Sequence, residues 1–118
     1  MGLHYDTPIY RETYALLDLA TDLTRNIPRD FKRQLGGKVH DECVEALVLI
    51  FRANCAAYKA PHIEELLERI QVIELLFRLF QDKKFISKAQ YAKAIKITDS
   101  IGRQANGWKK SSKASPAT

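Results

Sequence analysis

The sequence predicts an all-α domain, an up-down-up-down antiparallel four-helix bundle. Three observations carry this. Apolar residues recur at three- and four-residue steps in four separate stretches, as buried helix stripes do. The alternation of a half-buried strand is absent over any useful length. The stretches are joined by short connections marked by Pro, Gly and Ser, and short connections make neighbouring helices antiparallel. At 118 residues the chain is one domain, with 46% apolar and 28% charged residues. That length supports a hydrophobic core without metal or disulfide staples.

Residues 1–6 read as a frayed lead. Thr7-Pro8 is a helix start, a hydroxyl cap followed by a residue whose missing N–H costs nothing in the first turn. The first helix runs from there to about Arg25, with Ile9, Leu16, Ala20 and Leu23 as its stripe and Leu17 and Leu19 in support. Asn26-Ile27-Pro28 ends it, because the residue before a proline is pushed out of the α region. Residues 28–38 are read as the opening turns of the second helix. Gly36-Gly37 there allows a close approach or a slight bend. Val39, Cys43, Ala46, Leu47, Ile50, Asn54 and Ala57 then repeat at helical spacing through Tyr58.

Lys59-Ala60-Pro61-His62 connects to the third helix, which runs to about Gln81. Its stripe is Ile63, Leu66, Leu67, Ile70, Ile73, Leu76, Phe77 and Phe80. Val72, Leu75 and Leu79 widen the apolar arc, which implies a second apolar contact beyond the internal core. Residues 82–86 turn the chain and Ser87 caps the fourth helix. Its apolar face is Tyr91, Ala94, Ile95, Thr98, Ile101, Ala105 and Trp108, and Gly107-Trp108 marks its end. The bundle thus covers residues 1–110, and residues 111–118 are expected to form a disordered polar tail. Most of the helices are about 17–28 residues, or roughly 25–42 Å, long.

The formal charge of +5 is unevenly spread: residues 1–30 carry −2, residues 31–60 +2, residues 61–82 −3 and residues 83–118 +8. A basic C-terminal block of this kind points to a polyanion, or to a solvated helix face with a lysine-rich tail. Cys43 and Cys55 are twelve apart on one helix, about 18 Å along its axis, and cannot bridge each other. They read as small buried thiols of a reducing, cytoplasmic compartment. Met1-Gly2-Leu3-His4 lacks the pattern of a signal peptide, and no apolar run is long enough to span a membrane.

No catalytic constellation is present in the sequence. His4, His40 and His62 are far apart, and His40-Asp41-Glu42 cannot share a helix face as a metal site would require. The Glu-x-x-His pattern of di-metal bundles is missing. Glu64, Glu65 and Glu68 suit the positive end of the third helix rather than an acid–base pair. No phosphate loop, dinucleotide fingerprint or Cys-x-x-Cys occurs, so no metal or other cofactor is expected.

The positive reading is nucleic-acid binding through phosphates. Arg25, Arg29, Lys32 and Arg33 cluster at the first helix junction; Lys83, Lys84 and Lys88 cluster at the third. In an up-down bundle these two connections lie at the same end. The patch would continue up the fourth helix through Lys93 and Lys96, binding phosphates with strong salt dependence and little base reading. Neither a recognition helix nor an aromatic single-strand platform is evident in the sequence.

Three segments carry a family resemblance: Ile27-Pro28-Arg29; Leu75-Leu76-Phe77-Arg78-Leu79-Phe80; and Ser100-Ile101-Gly102-Arg103-Gln104-Ala105-Asn106-Gly107-Trp108. Together they resemble the accessory variability determinant proteins of diversity-generating retroelements. These belong to a four-helix superfamily that includes proteins encoded in ribosomal RNA intervening sequences. The resemblance implies a non-catalytic accessory protein that assembles as a homopentamer, binds template RNA or DNA, and associates with the element's reverse transcriptase. It would support mutagenic complementary DNA synthesis and homing. It also places Arg78 and Arg103 at recurrent functional positions. Each has a simpler alternative, a surface ion pair four residues back, with Glu74 and Asp99 respectively. The competing reading of the whole chain is a helical scaffold of the intervening-sequence type with another partner.

Overall fold

The structure, a computed structural model, describes residues 7–114. Four long helices dominate, and no strand occurs among the described residues. They are α1 (Pro8–Thr24), α2 (Gly37–Cys55), α3 (Ala60–Asp82) and α4 (Lys88–Ala114). Each packs on its neighbour in sequence, and α1 packs on α4, which closes the four into a ring. The result is a rod of 52 × 22 × 21 Å, the expected four-helix bundle. No helix of the described residues is long and apolar enough to cross a membrane.

The helix starts follow from local chemistry. Thr7 Oγ1 accepts the Tyr10 amide at 3.3 Å, and Pro8 opens α1. Ser87 and Gln90 form a reciprocal capping box: Gln90 N–H donates to Ser87 Oγ at 3.0 Å, and Ser87 N–H donates to Gln90 Oε1 at 2.7 Å. Two orphan amides at the start of α4 are satisfied at once. Between α1 and α2 the chain makes one helical turn, Arg29–Phe31, and then a π-helical stretch, Lys32–Gly36, that runs straight into α2. Gly36 is buried where α1 comes near, and a Cβ on it would meet the Thr24 Cβ at 3.5 Å.

The core is built from Leu16, Ala20 and Leu23 of α1, Val39, Cys43, Ala46, Leu49 and Ile50 of α2, Ile63, Leu66, Ile70, Ile73, Leu76, Phe77 and Phe80 of α3, and Ala94, Ile101 and Ala105 of α4. Two expectations for α2 change. Its buried stripe ends on Ala53 rather than on Asn54 and Ala57, and Leu49 is buried where Leu47 was expected. The helix stops at Cys55, because Lys59 Nζ donates to the carbonyls of Ala53 (2.9 Å), Asn54 (3.3 Å) and Ala56 (2.8 Å). A cation on the last carbonyls of a helix closes it favourably. Cys55 is therefore exposed, not buried; Cys43 is buried as expected.

The fourth helix does not end at Gly107-Trp108. It continues through Ala114, so the first four residues of the expected disordered tail are helical. Residues 1–6, with His4, and residues 115–118 lie outside the described residues. Trp108 packs against the core and, with Ile9, Ile50 and Asn54, lines a hollow of about 210 Å³ at this end of the rod.

One buried feature escaped the sequence reading. Glu42 is 3% exposed and faces a network rather than a metal. Lys38 Nζ lies 3.0 Å from its carboxylate, and Arg69 Nη1 of α3 donates to both oxygens, at 3.2 and 3.1 Å. Arg69 Nη2 also reaches Glu65 at 3.4 Å. Hydrogen bonding to Glu42, then its charge, raises the Arg69 pKa above its ordinary value. His40 and Asp41, next to Glu42 in sequence, point to solvent.

Candidate nucleic-acid interface

The end of α3 is set by a left-handed residue. Lys84 has φ 63°, with Lys84 N–H donating to the Gln81 carbonyl at 2.9 Å and Phe85 N–H to the Phe80 carbonyl at 2.8 Å. This pairing is a Schellman turn, and its usual apolar contact is present: the Phe80 and Phe85 rings are 6.3 Å apart. The turn aims Phe85 across the end of the bundle. There it meets Phe31 from the α1–α2 junction, with ring centroids 5.5 Å apart.

That contact brings the two basic junctions to one end, as the topology implies. Arg29, Lys32 and Arg33, with Asp30, line an open hollow of about 470 Å³. Lys84 and Lys88, with Gln81, Phe85, Ile86 and Ser87, line a second of about 520 Å³. Lys83 is exposed beside it, and Lys93 and Lys96 are exposed further along α4. By helix geometry those two stand about 8 and 12 Å beyond Lys88 along the axis.

The electrostatic character of the patch comes from its unpaired charges. Among the described residues, Arg29, Arg33, Lys83, Lys84, Lys88, Lys93 and Lys96 make no ion pair. Arg25 pairs with Asp22 at 3.4 Å, and Lys32 Nζ donates to the Arg25 carbonyl at 3.3 Å. The five unpaired cations at the junctions, with Lys93 and Lys96 further along α4, raise the local potential toward anions.

The two arginines singled out by resemblance are not part of this end patch in the same way. Arg78 pairs with Asp82, four residues ahead, at 3.3 Å. Its expected partner Glu74 instead accepts a hydrogen bond from the buried Thr98 hydroxyl at 2.7 Å. Arg103 is fifteen residues past Lys88, about 22 Å along α4. It makes no ion pair with Asp99. Arg103 and Asp99 line a groove of about 280 Å³ between α3 and α4, with Gln71, Glu74, Gly102 and Asn106; Arg78 does not line it.

The aromatic component of the end was missed. Phe31 is 46% exposed in the middle of the cations, although no aromatic platform was expected. Its signal in the sequence is an aromatic inside a basic cluster, Arg29-Asp30-Phe31-Lys32-Arg33, echoed by Lys83-Lys84-Phe85. No three His, Cys, Asp or Glu side chains are grouped to hold a metal among the described residues.

Comparison with curated proteins and with solved structures gives no match. A family profile described as bAvd-like matches residues 9–112. That span takes in all four helices except Pro8 and residues 113–114, together with both basic junctions and the Ile101-Gly102-Arg103 and Gly107-Trp108 segments, and it agrees with the bundle just described. On this match, which takes in nearly the whole chain, the protein belongs to the bAvd-like family and is an accessory protein of the Avd type.

Proposed function

We propose that the protein is a non-catalytic accessory subunit of a diversity-generating retroelement. It binds template RNA or DNA through the basic end and associates with the element's reverse transcriptase to support mutagenic complementary DNA synthesis. Family membership supports the setting. The observation that carries the binding role is the Phe31–Phe85 contact, which pins two cationic junctions side by side, where Arg29, Arg33, Lys83, Lys84 and Lys88 have no acidic partner among the described residues. Phosphate oxygens are the ligands such a surface suits.

Assembly is part of the same proposal, a homo-oligomer and by resemblance a pentamer. Leu75, 67% exposed on the outer face of α3, and Val44, 39% exposed on α2, supply apolar surface for subunit contacts. Burying such surface between copies is favourable.

The test is co-purification with the neighbouring reverse transcriptase, with and without template RNA, alongside direct RNA and DNA binding, across a salt series. With about five phosphates contacted, the logarithm of the single-strand affinity should fall with the logarithm of salt at a slope of about −3.5. Replacing Arg29, Arg33, Lys83 and Lys84 by Glu should abolish binding while the bundle stays folded. A folded, oligomeric protein that binds neither nucleic acid nor enzyme at low salt would leave the scaffold reading instead.

A further inference from the structure

We infer that Phe31, braced by Phe85, is a stacking platform for unpaired bases, so that the basic end takes single-stranded RNA or DNA in preference to duplex. The inference rests on the phosphate-binding reading above and adds what that reading lacks, a group that meets the base rather than the backbone.

Three observations carry it. Phe31 keeps 46% of its surface exposed at the end of the rod. Its ring is nonetheless held in place, 5.5 Å from Phe85, which stands 6.3 Å from the fully buried Phe80. This ladder of three rings ties the exposed one to the core. The third observation is charge. Arg29, Lys32 and Arg33 flank the ring in sequence, and Lys83, Lys84 and Lys88 flank its brace. Tyr58, the most exposed aromatic among the described residues at 73%, lies in the α2–α3 connection at the opposite end of the rod, away from this cluster.

A duplex offers this surface phosphates, but its base faces are already stacked. A single strand offers both, and any base can lie on a fixed aromatic ring. The alternative occupant of an exposed Phe, a second copy of the same end, is opposed by the like charges around it.

The experiment measures fluorescence anisotropy of the full chain against a labelled oligothymidine, an abasic strand of equal length and a duplex of equal length. Phe31→Ala and Phe31→Leu should weaken oligothymidine binding about tenfold, the scale of one lost base stack. Abasic-strand and duplex binding should be unchanged, as should the salt slope, because no phosphate contact is removed. Phe31→Trp should match or exceed the unaltered protein. Phe31→Leu keeps an apolar contact with Phe85, so a fold defect common to both variants would show as a lowered melting temperature and equal loss on all three probes. That result would overturn the platform. So would full oligothymidine affinity in both variants when Lys83→Glu with Lys84→Glu abolishes it, which would leave phosphate binding intact. If the unaltered protein binds no probe at low salt, the phosphate reading itself fails, and the platform falls with it.

Discussion

Glu42 shows how much a single buried charge depends on partners far away in sequence. Its carboxylate is held by Lys38 one turn back and by Arg69 from the next helix. Arg69→Met should destabilise the bundle by about 2 kcal/mol in urea titrations, less than the loss of a fully buried pair because Lys38 remains and Arg69 is partly solvated. Glu42→Leu combined with Arg69→Met should recover most of that loss, since an apolar pair removes the stranded charge. A double-mutant cycle reads the coupling. None of this network was legible in the sequence, where Glu42 is seen only beside His40 and Asp41, and helix neighbours face different ways. The adjacent Cys43 gives a second test. Burial, with the Glu42 charge adding, pushes its thiol pKa from 9.0 up to about 12. The native protein should therefore react at one thiol, Cys55, with a disulfide reagent near neutral pH, and at two after unfolding. The sign of the stability effect follows: a thiol held protonated in the fold contributes its full stability below pH 9.0 and loses it as pH rises toward about 12. Over that window stability should fall by about 1.4 kcal/mol per pH unit more steeply than in Cys43→Ala, measured by urea midpoints.

Helix ends were legible where their chemistry is local. The Thr7-Pro8 start and the Ser87 cap need only residues three apart, and both form as the sequence implies. Ser87→Ala should cost about 1 kcal/mol by thermal melting, the value of one lost N-cap. The register of α2 was not legible, because Leu47, Val48, Leu49 and Ile50 are four apolar residues in a row and fit more than one stripe. Packing against α1 and α3 chose Leu49, Ile50 and Ala53. The end of α4 was misread for a related reason. The sequence marks the end at Gly107-Trp108, yet no glycine has a positive φ among the described residues, and Lys109 reaches Glu64 of α3 at 3.7 Å beyond it. The left-handed stop belongs instead to Lys84, a residue with a Cβ that disfavours it. Lys84→Gly should raise stability by about 1 kcal/mol, by removing that strain. It should also weaken nucleic-acid binding and make the salt slope shallower by about 0.7, since one cation leaves the patch. Opposite signs in the two assays would separate the folding role of this position from its proposed binding role.

At the scale of the molecule, the topology was the part most readily read. Four stripes and three connections place the first and third junctions at the same end, and the Phe31–Phe85 contact realises that arrangement. Chain order alone could not supply what fills the space between the junctions, since that depends on the φ of Lys84 and the direction it gives Phe85. The same logic divides the surface into chemically distinct regions. The end of the rod is cationic, whereas the outer face of α3 carries Leu75 at 67% exposure. If subunits meet along the sides of the rod, the ends remain open to nucleic acid and several copies would present their patches together. Multivalent presentation raises avidity without any new contact. Leu75→Glu tests this arrangement. An exposed surface substitution changes the stability of a single chain by no more than about 0.5 kcal/mol, so the isolated bundle should keep its helical circular dichroism. If the proposed assembly uses this face, the sedimentation mass should fall toward that of one chain, and the melting temperature should lose the dependence on protein concentration that such assembly confers. Binding to a short strand that spans one patch should be retained, and binding to a long strand that reaches several should drop by the avidity factor. An unchanged sedimentation mass in Leu75→Glu would move the subunit contact to another face and remove the link between assembly and the long-strand affinity.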